Sequence, residues 1–504
     1  MFDALMVGLS SALQPVVLLA MVTGLFGGVL AGAIPGLSAT MAVALLLPLT
    51  YAMDPAVALA FMAGIHNGAA YGGSIPAILL RIPGTPAAVA TTFDGYPLSQ
   101  QGKTFYALKL SVVSSAIGGL VSAIALMTLA PPLAQAALAF GPPEIFWVSI
   151  FGLVSTAVLI GKDPLKGLIA ACLGLLLGTV GIDTVTGVER LTFGILELSS
   201  GLPLAVVLIA LFGLPAALQI AERSRERTRS ASDVLSGADT DTRLRDWPWR
   251  RLVPAWIRGS VYGVFVGILP GLGGAVSSVM AYGAEQRASR NPDAFGKGAS
   301  EGVAVAEAAN NADNAASMIP ALTLAIPGSG VAAVVLAGLL IHGLEPGTAL
   351  FRDNPEIVFG YMWAFLFTSI LLVAVGGTLA VRLFSRVLEV PAAILAPAVL
   401  ILTVVGAYTY QNSLFHVYIL ATLGIVGYAL DRLGFPAPPV ILALFLGPKV
   451  EFNMRISLRI SQDDWSIFYT RPISAVIAAA TLAIVIFGIV RALRSGRKPT
   501  PKRI

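Results

Sequence analysis

The sequence predicts an all-α polytopic membrane protein of two inverted-topology repeats, with broken helices or re-entrant hairpins and about 11 crossings at roughly 20 residues per span. Three observations carry that prediction. Of 504 residues, 56% are hydrophobic and 12% charged, with a mean hydropathy of +0.84. A soluble chain carries about 25% charged residues, so this stock cannot build a water-facing surface. The charges that exist are concentrated in a few places, and one set of Pro-Gly landmarks recurs in the same order in both halves.

The first repeat spans residues 1–221. Its amino terminus, MFDALMVGL, lacks the positive region of a cleavable signal peptide, so the first segments are expected to stay in the mature protein. No Lys or Arg precedes Arg81. Gly24, Gly28, Gly32 and Gly36 follow at intervals of four and end in Ile34-Pro35-Gly36-Leu37. The segment SIPAILLRIPGTPAAVA begins at Ser74. Cys172 is the sole cysteine, which excludes an internal disulfide and any multi-thiolate metal site. Its apolar neighbours, LIAACLGLLLG, suggest a packing residue.

Residues 222–258 form an Arg-rich connector with nine Arg, expected on the cytoplasmic side by the bias of basic residues toward it. The second repeat, 259–456, repeats the landmarks. Gly259, Gly263, Gly267 and Gly271 end in Leu269-Pro270-Gly271-Leu272, and MIPALTLAIPGSGVAAV begins at Met318. A polar insertion, SRNPDAFGKG, accounts for the different spacing. Residues 457–490 hold a periplasmic loop and the last spanning helix, and 491–504 form a basic cytoplasmic tail with six Lys or Arg.

Orientation follows from charge. With connector and tail both inside, and one crossing before the tail, the chain near Asp463-Asp464 lies outside. The second repeat then starts inside and ends outside. If the first also crosses an odd number of times it starts outside, and the two are inverted, an architecture of many secondary transporters. The amino terminus is then periplasmic and the carboxy terminus cytoplasmic.

Each repeat carries two Pro-Gly breaks: Pro35-Gly36 and Pro83-Gly84, then Pro270-Gly271 and Pro327-Gly328. Proline removes a backbone donor and glycine permits positive φ. Around Pro270 about ten apolar residues lie on each side, half of a crossing. That fits a re-entrant hairpin or a kinked spanning helix.

Helix N-termini at such tips present N–H groups to an anion, and unwound carbonyls can hold a cation. Candidate substrate-binding residues are therefore Ser38, Thr40, Arg81, Gly84, Thr85, Gly271, Gly273, Gly274, Ser277, Ser278, Gly328 and Ser329. Gly24, Gly28, Gly259 and Gly263 fit close helix packing instead. Arg81 could hold a carboxylate bidentately or anchor the membrane edge. In EAANNADNAASMIP, Asn310, Asn311, Asp313 and Asn314 interrupt an apolar stretch. The first-half counterpart, GIHNGAAYGGSIP, aligns Asn67 with Asn311 and His66 with Asn310, and continues through Gly72, Gly73 and Ser74. Asn67, Gly72, Gly73, Ser74, Asn310, Asn311 and Asn314 form a cation-or-substrate set. The alternative is a polar clamp between helices. Asp313 is a cation ligand or lies at an aqueous edge. Glu285, Glu301 and Glu307 are expected at hairpin or loop edges.

Several classes are excluded. QGKT at Gln101 resembles the end of a phosphate loop, but Pro97 stands where the earlier Gly is required. His66, His342 and His416 form no HExxH pair, and no GxSxG has a His partner, so the chain is not expected to be an enzyme or to hold a cofactor. The net charge of +5 is too localised to indicate nucleic acid.

AGAIPGLSATMAVALLLPLTYAMDP, YGGSIPAILLRIPGTPAAVATTFDGYPLSQQGK and VGILPGLGGAVSSVMAYGAEQRASRNPDAFGKGASEGVAVAEAANNADNAASMIPALTLAIPGSG resemble the large membrane subunit of tripartite tricarboxylate transporters, the TctA family. The resemblance covers nearly the whole chain and departs at Arg81, where Asn is expected. It implies a carrier that imports a carboxylate on an ion gradient, usually sodium, in the bacterial inner membrane. It also implies two partners, a small TctB-type membrane subunit and a periplasmic TctC-type solute-binding protein. The rival expectation is an anion channel uncoupled from any gradient.

Overall fold

Lipid offers no water to a backbone N–H or C=O, so a chain this apolar must close its hydrogen bonds within helices. It does so in a computed structural model, which describes residues 2–159, 163–183, 185–223, 247–377, 386 and 390–495. The bulk of the Arg-rich connector and the end of the basic tail lie outside the described residues. Among the described residues eight helices are long and apolar enough to cross a membrane: Pro15–Ala33, Thr104–Ala137, Pro142–Leu159, Leu204–Glu222, Pro355–Val375, Ala392–Thr409, Leu414–Arg432 and Pro472–Val490. Shorter apolar helices are Ala39–Thr50, Pro164–Gly178 and Gly330–Ile341. The fold is an all-α polytopic membrane protein.

One helix pair organises each half. In the first, Gly24, Gly28 and Gly32 of Pro15–Ala33 lie against the carbonyls of Phe61, Ile65 and Ala69 in Pro55–Gly72. In the second, Gly259, Gly263 and Gly267 of Trp249–Ile268 lie against the backbone of Val305, Ala309 and Asp313 in Ser300–Ala316. Any side chain at these glycines would strike backbone, so the rows exist for close helix approach. Both registers ascend together, and the paired helices are therefore parallel. That fixes the path between them. Pro15–Ala33 and Pro55–Gly72 can run parallel only if the intervening helix Ala39–Leu46 brings the chain back. Gly273–Ala288 does the same in the second half. The chain thus reverses at Pro35-Gly36 and at Pro270-Gly271 rather than kinking onward. Gly36 (φ 97°) and Gly271 (φ 87°) make the reversals in a conformation that costs other residues energy.

Ion pairs mark two ends of the molecule. At one, Glu222 meets Arg432 at 3.1 Å and Asp431 accepts from the Gln219 amide at 2.7 Å. At the other, a short β-hairpin, Gly181–Ile182 with Glu189–Arg190, packs on the helix Ala437–Ile460. There Asp183 is paired with Arg190 and, at 2.9 Å, with Arg455, and Arg190 meets Glu451 at 3.0 Å. Hydrogen bonds from the Thr186 hydroxyl and Val185 N–H, joined by those arginines, hold the Asp183 carboxyl below the usual carboxylate range.

Two expectations are corrected. Cys172 is exposed, on an outward face of Pro164–Gly178, because an apolar neighbourhood in a membrane protein serves lipid contact as well as packing. Glu307 is not at an edge: it sits mid-helix in Ser300–Ala316 with 0% exposure. Its oxygens accept from the hydroxyls of Thr91 and, at 2.9 Å, Ser115.

Candidate functional site

The backbone at the second break of each half is the same. Ser74–Leu80 follows the Asn67 helix, Pro55–Gly72, and ends in left-handed Arg81 (φ 59°). Met318–Leu324 follows the Asn311 helix, Ser300–Ala316, and ends in left-handed Ala325 (φ 56°). The chain then doubles back on itself. The Ile82 N–H donates to Pro76 O at 3.3 Å and the Ile326 N–H to Pro320 O at 3.2 Å. The Gly84 N–H reaches Gly73 O at 3.0 Å and the Gly328 N–H reaches Ser317 O at 3.3 Å. Prolines at positions 83 and 327 prevent these returning strands from continuing a helix.

A new helix starts after each break. Ser38 caps Ala39–Leu46 by accepting from the Met41 N–H at 3.1 Å. Ser329 caps Gly330–Ile341 by accepting from Ala332 N–H at 3.2 Å. The halves then cross. The Ser278 hydroxyl donates to Ala87 O at 2.9 Å, and Gly330 faces Thr40, whose Oγ1 would stand 2.9 Å from a Cβ placed there. The Gly271 N–H donates to Gly328 O at 3.0 Å, joining the two second-half turns. Four helix N-termini therefore gather between the halves.

Beside them lies a cavity of about 770 Å³, within the range of small-ligand pockets. Gly36, Ser38, Gly84 and Thr85 line it from the first-half turns, with Gln219, Glu222, Asp431 and Arg432 at the Arg432 end. The Thr85 hydroxyl is buried with no hydrogen-bond partner. Arg81 is exposed, does not line the cavity, and lies 5.8 Å from the Tyr96 ring. Nor do Thr40, Gly271, Gly273, Gly274, Ser277, Ser278, Gly328 or Ser329 line it. Ser277 instead donates to Gly274 O at 3.0 Å and Ala309 O at 3.2 Å, and Ser329 to Ser317 Oγ at 3.2 Å.

The asparagines come together at the junction of the two Asn helices. Asn67 Oδ1 accepts from Asn314 Nδ2 at 3.0 Å. The Asn67 amide donates to Thr368 Oγ1 at 2.8 Å, Ser369 Oγ at 3.2 Å and Phe365 O at 3.3 Å on Pro355–Val375. Asn310 donates to Ala70 O at 3.2 Å. Asn311 bonds within its own helix, donating to Glu307 O at 3.1 Å. So the direct partner of Asn67 is Asn314, and Asn311 is one step removed. Gly72 packs on Val29, Gly73 supports the Gly84 turn, and Ser74 donates to Tyr71 O while accepting from Ser111 at 2.7 Å.

The sequence reading missed Thr368 and Ser369, which complete the asparagine cluster, and the Thr91 and Ser115 hydroxyls around Glu307. The serine-rich run Ser111, Ser114 and Ser115 inside the apolar helix Thr104–Ala137 was the available signal. Among the described residues no group of three His, Cys, Asp or Glu could hold a metal ion.

Broken helices turning back between two halves, with buried polar residues at the junction, define the class: a multi-pass membrane protein of transporter type. The family model of the tripartite tricarboxylate transporter TctA family matches residues 18–442, and the chain belongs to that family. It is 35% identical over 493 residues, 98% of this chain and 97% of the relative, to an uncharacterized 52.8 kDa protein in the TAR-I ttuC' 3'region of Agrobacterium vitis. It is 36% identical over 235 residues, 47% of this chain and 97% of the relative, to an uncharacterized protein in the TAR-II ttuC' 3'region of the same organism. No solved structure matches the chain.

Proposed function

We propose that this chain is the large permease subunit of a tripartite carrier that imports an organic carboxylate by cation-coupled secondary transport, with sodium as the coupling ion. The observation that carries the proposal is the crossed set of Pro-Gly turns, Ser278 on Ala87 and Gly330 on Thr40, beside a cavity lined by Ser38, Gly84 and Thr85. Helix N-termini and the unpartnered Thr85 hydroxyl are donors without acceptors, the chemistry a carboxylate requires. The matching backbone of the two breaks supports an inverted repeat. In that arrangement the turns are the tips of re-entrant hairpins and the movement of one bundle relative to the other opens the site alternately. Asn67 and Asn314 join the halves as a clamp, their amides bonded to protein.

The chain lies in the bacterial inner membrane with its amino terminus periplasmic and carboxy terminus cytoplasmic. A periplasmic solute-binding protein delivers the substrate and a small membrane subunit completes the assembly. The cavity beside Glu222 then opens toward the cytoplasm. Proteoliposomes holding all three components test the reading. A sodium gradient should concentrate radiolabelled citrate or another di- or tricarboxylate above its external level. Equilibration without accumulation would return the anion-channel alternative.

A further inference from the structure

Two carboxylates are buried on the Asn311 helix, and they are provided for differently. Glu307 has a hydroxyl donor for each oxygen, from Thr91 and Ser115. Asp313 is 4% exposed, yet its Oδ1 has no hydrogen-bond partner. No lysine or arginine among the described residues is paired with it. The Gly274 N–H, at the start of Gly273–Ala288, faces its carboxylate. Asn310, one turn earlier, turns its Oδ1 toward the same glycine, 2.8 Å from where a Cβ would stand. An ionised carboxylate enclosed in this way must be neutralised by something it binds.

The first half has no such group. Asn67 aligns with Asn311, which makes Ala69 the counterpart of Asp313. The packing agrees, because Gly32 lies on Ala69 as Gly267 lies on Asp313. A methyl in one half and a carboxylate in the other mark Asp313 as an addition to the shared scaffold, not part of it.

We infer that Asp313 and Asn310, beside the start of Gly273–Ala288, form a binding site for one sodium ion. The inference rests on the cation-coupled reading above and adds the residues that hold the ion. Sodium takes several oxygen ligands, and unwound carbonyls beside a helix break supply them in carriers of this architecture. A proton would need Asp313 alone and would give Asn310 no part.

The test uses the purified full chain in detergent, melted in sodium chloride against choline chloride at equal ionic strength. Wild type should melt higher as sodium rises, as a ligand bound only by the folded state requires. Asp313→Asn and Asp313→Ala should fold and lose the sodium response. Asn310→Ala should keep it with a half-maximal sodium concentration raised about tenfold or more, the loss of one good ligand. An Asp313→Asn chain that retains the wild-type sodium response overturns the assignment. So does a wild type stabilised by acid and indifferent to sodium. Neither result bears on whether the three-component system accumulates carboxylate, so the two readings fail separately.

Discussion

Gly32 lies against Ala69 where Gly267 lies against Asp313, and Arg81 turns left-handed where Ala325 does. In backbone the two halves are one design: a glycine row, a reversal at Pro-Gly, a parallel helix, and a second break that doubles back. In side chains they diverge. The first half lines the cavity with Ser38 and Thr85, and the second carries a buried carboxylate with one unpartnered oxygen, Asp313 Oδ1. The halves agree in what the chain path needs, because Pro and Gly have few substitutes at a reversal. Side chains diverge even where the backbone contact is kept, as at Ala69 and Asp313.

The glycine rows are where the halves should behave most alike and where disruption should cost most. Gly28→Val and Gly263→Val each drive a side chain into a facing carbonyl, an overpacking cost on the order of 3 kcal/mol in a rigid contact. Both variants should lose monodisperse protein on size exclusion. Gly27→Ala, on the same helix, meets only the Leu46 side chain at 3.5 Å and should elute like wild type. Survival of Gly28→Val beside failure of Gly263→Val would show that the two rows do not share a role.

The asparagines should behave unequally. Asn67 ties three helices together through four bonds, while Asn311 bonds chiefly within its own helix. At about 0.6 kcal/mol for an average interhelical bond in a membrane, Asn67→Ala should cost about 1–2 kcal/mol and Asn311→Ala less than half of that. Thermal unfolding in detergent measures both. Equal losses would restore Asn311 as the symmetric partner of Asn67.

Residues at the first-half break should separate next. Thr85→Val keeps the shape and removes the buried, unpartnered hydroxyl of a cavity-lining residue, so half-saturating carboxylate should rise about tenfold, the scale of one lost polar contact. Arg81→Ala leaves the cavity unchanged, and the same uptake curve should move less than about twofold, as expected of a solvated charge. A larger effect at Arg81 than at Thr85 would return Arg81 to the role of carboxylate ligand.

Much of this was legible in the sequence because it was written in Pro and Gly. The four breaks, the two glycine rows and the alignment of Asn67 with Asn311 all rest on residues whose backbone consequences are local. What was not legible depends on which face of a helix meets which neighbour. Asn314, three positions after Asn311, is the one turned toward Asn67, and spacing along one helix cannot reveal the rotation of another. Glu307 reads as an edge residue because a charge in an Ala-rich segment suggests water, and its donors come from residues about two hundred positions away. The β-hairpin at Gly181–Arg190 has no counterpart among the described residues of the second half, so the landmarks shared by the halves gave no hint of it.

The central claim is that the two halves are one unit in opposite orientations. Ala52 and Asp293 are both exposed and stand just before the Asn67 and Asn311 helices. In a Cys172→Ala background each can be made the sole cysteine and probed with a membrane-impermeant maleimide in intact and permeabilised cells. The account predicts that Ala52→Cys is labelled in intact cells and Asp293→Cys only after permeabilisation. Labelling of both from the same side would contradict it.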